Sequence, residues 1–467
     1  MRNVFRKIEE AWQGDALEAL AEFVRLPAKS PDFDPDWEQN GVLLRALEDA
    51  ARWAKVRFPE GTFEILSAPG VTPVLWVDIP GTRPGRPALF YGHFDKQPEA
   101  GEWSEGLAPF EPVLRDGRLY GRGTADDGYS FYAALTAARA MDEAGRKRPR
   151  IMGVFETREE SGSGDLPHYL PELSKRAGRP SVLTVLDLGI QDKTRLWRTQ
   201  SLRGVVTFTL KVEVLESGVH SGVTSGIVPS SFAVMRTLLD RLEDPATGRV
   251  KVASMHVPEP TRHMPALRRL AELSGEDLWK RFPWAGETEP RSFDPLELLL
   301  KNGWQPTLSI LGAEGLPPVK EAGALIRPST TLKLSFRIPP GVDAQKAAED
   351  AVALVTTNVP SKAKVTVANL HAEPGFEAPA GAEWLDAAWS KASEELFRET
   401  AEDVFDGATI GILPKFVKAF GPCPFLCTGV LGTEDNAHAP DESVSLEYLT
   451  KLTCAVASVL DAVPEEE

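Results

Sequence analysis

Cysteine is scarce in this sequence: Cys423, Cys427 and Cys454, each set among apolar neighbours, are the only three in 467 residues. Three thiols cannot all pair within one chain, so a disulfide framework is excluded and small buried thiols in a reducing compartment are expected. A Cys-x-x-Cys pair is also missing, which argues against a structural sulfur-ligated metal site. No apolar run approaches the roughly 18 residues that span a bilayer. The opening "MRNVFRKIEEAWQGDALEALAEFV" mixes charged and apolar residues where a secretory leader would carry an apolar block. Together these absences predict a cytoplasmic protein that does not enter a membrane. Basic residues are outnumbered, 52 Lys+Arg against 68 Asp+Glu, and the net charge of −16 repels phosphate backbones and anionic lipid heads alike. Nucleic acid and membrane surfaces are therefore excluded as partners. No internal repeat is present, and no low-complexity tract beyond the acidic tail Glu465 to Glu467.

What is present is ordinary globular composition, 42% hydrophobic and 26% charged, on a chain about three times the size of a typical domain. Two domains, or one domain carrying an insertion, are expected. Residues 1–201 alternate short buried strands (Val74 to Val77, Ala88 to Tyr91, Ile151 to Phe155, Val182 to Leu186) with helical spacing such as Leu17, Leu20, Ala21, Val24 and Phe131, Ala134, Leu135, Ala138, Met141. This is α/β grammar, with ligands expected at the carboxyl ends of strands. From about 202 the texture changes. Strands "VVTFTLKVEVLE", "QPTLSILGAEG", "STTLKLSFRIPPG" and "KAKVTVANLH" accompany two helices, around Phe232 to Leu242 and in "AQKAAEDAVALVTTNV", while the polar stretch from Asp244 to Pro295 breaks regular pattern. That combination predicts an antiparallel sheet with helices on one face. The α/β texture returns at 373–467, so the architecture expected is an α/β domain, residues 1–201 and 373–467, interrupted by an inserted α+β domain, residues 202–372.

Chemistry-bearing residues collect after the α/β strands: His93 and Asp95 after "ALFYG", Asp126 and Asp127 after "GRLYGRGTA", Glu159 and Glu160 after "RIMGVFETR", Asp187 after "VLTVL", and His438 beyond "PFLCTGV". Each has a plain alternative. Asp126 or Asp127 could cap the helix that starts near Tyr129, Glu159 and Glu160 could form a solvated turn before "SGSG", and Asp187 or His438 could be loop hydrogen-bonding residues. The conjunction favours a shared site, because clustering several carboxylates in one crevice without a counter-charge is costly and divalent metals remove that cost. Two histidines and three carboxylates suit zinc or manganese. His93-x-Asp95 fits an imidazole whose second nitrogen is held by a carboxylate. Glu159 beside Glu160 offers one carboxylate for metal and one for a proton.

The motifs "GHFDKQP", "GRGTADDG", "EESGSG", the Asp after "VLTVL", "VHSG", "LSFRIPP" and the late His438 resemble, in order and over nearly the whole chain, the dinuclear zinc peptidases that include carnosinase, cytosolic non-specific dipeptidase, aminoacylase and succinyl-diaminopimelate desuccinylase. The resemblance implies a zinc-exopeptidase-like catalytic domain with an inserted lid and dimerisation domain. It implies two divalent ions per subunit, zinc or else manganese, with His93 and Asp187 holding one, Glu160 and His438 the other, and Asp126 bridging. Asp95 would support His93, and Glu159 would be the general base toward a hydroxide clamped by the metals. His220, which taken alone is a turn histidine, matches the family residue that reaches an active site, commonly the partner subunit's, to bind the oxyanion. Arg337, otherwise a strand-end salt bridge, matches the arginine for the substrate's C-terminal carboxylate. Phe405 to Lys415, with Gly407 and Thr409, resembles the substrate loop. The sequence departs from the family in Leu188 after Asp187, in Asp406-Gly407-Ala408 where Glu-Gly-Gly is usual, and in Lys96, where substrate preference would differ.

The function implied is metal-dependent hydrolysis of dipeptides or short peptides by a cytoplasmic homodimer joined through the inserted domain. An N-acyl-amino-acid amidohydrolase using the same site is the alternative. A non-catalytic descendant of the fold is disfavoured, because every ligand and the base are present.

Overall fold

A computed structural model of the chain describes residues 1–465; the last two residues of the acidic tail, Glu466 and Glu467, lie outside the described residues. The chain divides into two compact units, one formed by Met1–Gln200, Ala378–Val404 and Ile412–Glu467, the other by Ser201–Glu377 and Phe405–Gly411.

The first unit is built on a six-stranded mixed sheet. In spatial order its strands are Thr62–Ala68, Val71–Ile79, Ile151–Glu156, Ala88–His93, Val182–Val185 and Phe425–Cys427. The first two junctions are antiparallel and the remaining three parallel. Ala88–His93, Ile151–Glu156 and Val182–Val185 are buried at every position. Such unbroken apolar runs are what a parallel sheet covered on both faces requires. Helix Tyr129–Glu143 packs on Ala88–His93 and helix Val42–Arg57 on the two antiparallel strands, while Leu446–Ala462 covers Tyr129–Glu143. The strand read at "GRLYG" is Arg118–Tyr120, and it pairs with Ser443–Ser445 and Val113–Arg115 in a separate small sheet. Asp126 is therefore carried by a loop ahead of a helix and not by a strand of the main sheet.

The second unit holds a four-stranded antiparallel sheet in the order Thr307–Glu314, Ser329–Ile338, Gly204–Glu213, Lys364–Glu373. Gly204–Glu213 alternates buried and half-buried residues along its length, the period of a strand with one covered face. Val206, Phe208, Leu210 and Val212 meet Leu332, Leu334 and Phe336 in a core closed by helices Ser231–Leu242 and Ala344–Thr356. The expectation of only two helices needs correction. The stretch read as irregular contains Met264–Ser274 and Asp277–Lys280 and leads into Pro295–Gly303. Prolines at the first turns and glycines between these helices hide them, since each helix is too short to show a sustained apolar period.

No helix among the described residues is long and apolar enough to cross a membrane.

Candidate functional site

Three neighbouring parallel strands end on one edge of the main sheet, and each delivers part of a polar cluster. His93 closes Ala88–His93, in register with Glu156 of the next strand. A single 3-10 turn after that strand carries Glu159 and Glu160, and Asp187 stands two residues beyond Val182–Val185. Ligands gather at such carboxyl ends because the strand termini and following loops face one crevice. From two further loops come Asp126 and His438.

These groups form two triads, His93 with Glu159 and Asp187, and Asp126 with Glu160 and His438, in each of which the candidate ligand atoms lie within 4.8 Å of one another. Asp126 joins them. Its Oδ1 is 3.1 Å from His93 Nε2 and its Oδ2 is 2.8 Å from His438 Nε2. His93 Nε2 also lies 3.6 Å from Asp187 Oδ2, and His438 Nε2 lies 3.1 Å from Glu160 Oε2. The far ring nitrogen of His93 is 3.0 Å from the Asp95 backbone carbonyl and 3.4 Å from the Asp95 carboxylate. That carboxylate accepts the backbone N–H of Glu159 at 3.1 Å and of Glu160 at 3.0 Å. One aspartate thus fixes the histidine ring and the turn bearing both glutamates.

Neither Asp126 nor Asp127 caps the following helix, whose N-cap position is Gly128 with no side-chain hydrogen bond. Asp127 is buried and its Oδ2 accepts the backbone N–H of His93 at 3.2 Å. Gly92 is required for that approach, because a Cβ there would lie 2.1 Å from Ser130 Oγ and 2.7 Å from Asp127 Oδ2.

The electrostatics of the cluster call for cations. Burial, with the charge of Asp187, holds Glu159 well above the usual carboxylate range. Glu160 is pushed up to about 7 by burial and by Asp126, and Asp187 to about 6 by burial. Burial also favours the neutral form of Asp126, but hydrogen bonds from His438 and His93 overcome it and keep this carboxyl below its ordinary range. His438 is raised to about 11 by its bonds to Asp126 and Glu160. Without metal the site must take up protons to be neutralised. Imidazole and carboxylate donors in two triads sharing one aspartate fit a pair of divalent ions instead, and no thiol competes, since all three cysteines are buried and unpaired among apolar residues.

The remaining predicted residues lie in the second unit. Arg337, on Ser329–Ile338, donates from Nη1 to Thr409 Oγ1 at 2.5 Å. Thr409 Oγ1 in turn donates to the Arg203 carbonyl at 2.7 Å, and Arg203 Nε donates to the Gly407 carbonyl at 3.3 Å. Arg337, Gly407 and Thr409 are therefore brought together, and these bonds explain why Phe405–Gly411 groups with this unit. His220, in the short strand Val219–His220, is exposed and makes no side-chain hydrogen bond with these three.

Residues 89–462 match the family described as Peptidase family M20/M25/M40. The chain belongs to that family. Membership places it among the peptidases, enzymes that hydrolyse peptide bonds. It is 26% identical over 378 residues to the Cys-Gly metallodipeptidase dug1 of Schizosaccharomyces pombe, covering 78% of this chain and 77% of that one. To the Beta-Ala-His dipeptidase of Rattus norvegicus it is 25% identical over 461 residues, 93% of this chain and 89% of that one. The same fold is seen in the M20 family metallo-carboxypeptidase Sso-CP2 from Sulfolobus solfataricus, with a TM-score of 0.81 at 19% identity over 97% of this chain and 99% of that one.

Three residues of this M20 chain escaped the reading of the sequence. Glu442 is fully buried and accepts the backbone N–H groups of Gly123, Ala125 and Asp126 at 2.9, 3.2 and 3.3 Å. It also pairs with Arg122 at 2.6 Å, while Arg122 reaches the Ala439 carbonyl at 3.1 Å. The loops of Asp126 and His438 are thereby clasped together. Gln97 donates to Glu160 Oε2 at 2.8 Å, and Arg203 is the neighbour of Arg337 just described. The available signal was Glu442 itself, an acid at the entry to the strand Ser443–Ser445. Lys96 requires a correction. Its buried ammonium donates to the carbonyls of Phe23, Val24 and Leu26 at 2.9, 3.2 and 2.8 Å. It caps the end of helix Asp15–Val24, and with all three N–H donors committed there it has none left to offer a substrate.

Proposed function

We propose that this chain is a metal-dependent dipeptidase, cleaving the peptide bond of dipeptides or short peptides that end in a free carboxylate. The observation that carries the reading is the paired triads sharing Asp126, together with membership of a peptidase family and the names of two relatives that each act on a dipeptide. His93 and Asp187 would hold one divalent ion, Glu160 and His438 a second, and Asp126 both; zinc suits the donors, with manganese the alternative. When bound, such a pair polarises the scissile carbonyl and lowers the pKa of water.

The chain's own residues do the rest. Glu160 commits its Oε2 to Gln97 and His438, whereas the Glu159 carboxylate has no hydrogen-bond partner among the described residues and is positioned only through its backbone by Asp95. Glu159 is thus free to take a proton from the attacking water and return it to the leaving amine, and its raised proton affinity suits that exchange. Arg337 offers a fork for the substrate carboxylate, with Gly407 and Thr409 lining the same niche. Asp95 acts by holding the Glu159–Glu160 turn.

The inserted unit serves as lid and as dimerisation domain, and His220 completes the site of a second subunit by binding the oxyanion. Supporting this are exposed apolar residues on the inserted unit, with Val223, Ile227 and Val319 at 72%, 80% and 93% exposure. A single-chain mass in sedimentation at micromolar concentration would contradict the dimer.

Glu159→Gln tests the mechanism. Activity on dipeptides falls at least about 10²-fold, while elemental analysis still finds two metals per chain. Hydrolysis at the original rate would remove Glu159 from the role of base.

A further inference from the structure

The second unit contains a cavity of about 320 Å³ beside the Arg337 niche that the mechanism leaves unused. Its walls are aromatic. Trp279, Phe282 and Trp284 line it, with Leu298 and Leu299 behind. Phe282 and Trp284 stand edge to face at 6.1 Å, and Trp284 Nε1 is tied to the Trp279 carbonyl at 2.7 Å. Both rings nevertheless stay 49% and 41% exposed. Two aromatics held in place yet half open to solvent form a prepared apolar surface.

The floor of the cavity is polar and leads back to the niche. Arg203, Asn302 and Thr307 line it. Arg203 donates to Thr307 Oγ1 at 3.0 Å, to Asn302 Oδ1 at 3.5 Å and to the Gly407 carbonyl at 3.3 Å. A guanidinium carries five N–H groups, so two are left for a ligand. Thr409, two residues along the same loop, bridges the Arg203 carbonyl to Arg337. Arg203 is only 7% exposed, and the nearby charge of Arg337 works against its own. Four cations, Arg203, Arg281, Arg291 and Lys301, line the cavity with no carboxylate among them, in a chain whose net charge is −16. All four have partners within the chain: besides the three bonds of Arg203, Lys301 pairs with Glu297 at 3.1 Å, Arg291 donates to the Thr247 carbonyl at 3.2 Å and Arg281 lies over the Phe282 ring.

The C-terminal residue of a dipeptide bears its carboxylate and its side chain on one carbon, so the pocket for one must adjoin the pocket for the other. We infer that this cavity receives the side chain of the substrate's C-terminal residue, and that the enzyme favours dipeptides ending in an aromatic or large aliphatic residue. The inference rests on the dipeptidase reading with Arg337 at the carboxylate; it adds the side-chain class. Cations already partnered within the chain and the aromatic rings in the lining favour an apolar occupant over an acidic one.

The test compares kcat/KM of the metal-loaded enzyme on Ala-Gly, Ala-Glu, Ala-Leu and Ala-Phe. Ala-Phe exceeds Ala-Gly by at least about tenfold, chiefly through KM, as burial of one aromatic side chain allows. Phe282→Ala and Trp284→Ala each cut the Phe-to-Gly ratio at least about threefold; their partial exposure keeps either truncation from disturbing the core, and a thermal melt of each checks that. Equal values for Ala-Gly and Ala-Phe, a preference for Ala-Glu, or a ratio that neither variant moves would overturn the inference and leave the dipeptidase reading standing. No hydrolysis of any of the four would overturn that reading and the inference with it.

Discussion

Glu442 shows how much of the site is held by residues that never meet substrate. It stands at the centre of four charge-assisted hydrogen bonds, three to backbone amides leading to Asp126 and one to Arg122. Removing one partner of a buried pair strands the other, at a cost of about 3–5 kcal/mol. Glu442→Ala is therefore expected to lose about that much in denaturant unfolding, and an effect below about 1 kcal/mol would show that the clasp is not structural. The cluster itself predicts a pH dependence. In metal-free protein Glu160 and Asp187 titrate at about 7 and about 6, above their ordinary values of 4.5 and 3.8, so the folded state binds more protons than the unfolded one across that window. Stability of the metal-free protein accordingly falls as pH rises from about 4.5 to about 7. His438, raised from 6.5 to about 11, continues the trend upward. Thermal melts of chelated protein at pH 5 and pH 7.5 check this: the expected order is higher melting at pH 5, and bound zinc reverses it. At this scale the gathering of His93, Glu160 and His438 was legible, because imidazoles and carboxylates that follow strand ends share a crevice. The sequence was not legible where a long side chain chooses among unseen partners, as Lys96 does with three helix-end carbonyls and Glu442 with three amides.

At the scale of elements, the decisive pieces are a turn and a loop. The Glu159–Ser161 turn is set by Asp95 from a different strand end, and the Phe405–Gly411 loop is set by Arg203 and Arg337. Arg337→Ala removes the fork that would hold the substrate carboxylate, so kcat/KM for a free dipeptide falls about 10- to 100-fold, the value of a hydrogen bond to a charged group. The same dipeptide as its C-terminal amide, already a poor substrate, loses little. Equal losses on both would place Arg337 outside carboxylate recognition. Strands were read well because buried parallel strands are unbroken apolar runs and half-covered antiparallel ones alternate. Met264–Ser274 and its neighbours were not, since their apolar faces are one or two turns long and proline and glycine punctuate them. Arg118–Tyr120 reads as a strand in the sequence, but its pairing with the distant Ser443–Ser445 in a separate sheet leaves no local trace.

For the whole molecule, the family match spans most of the chain and the fold agrees with M20 enzymes from end to end. The two units carry different clusters: one gathers six candidate ligands and bases, the other two neighbouring arginines and the Phe405–Gly411 loop. The central claim is that two metals and a dipeptide meet in this chain. Titrating the chelated protein with zinc while following hydrolysis of Ala-Phe tests it most directly. Activity should rise with added metal and reach its plateau at two equivalents per chain, with N-acetyl-phenylalanine cut far more slowly at the same loading. A protein that binds no zinc, or that at full loading hydrolyses only the N-acetyl compound, would contradict the account.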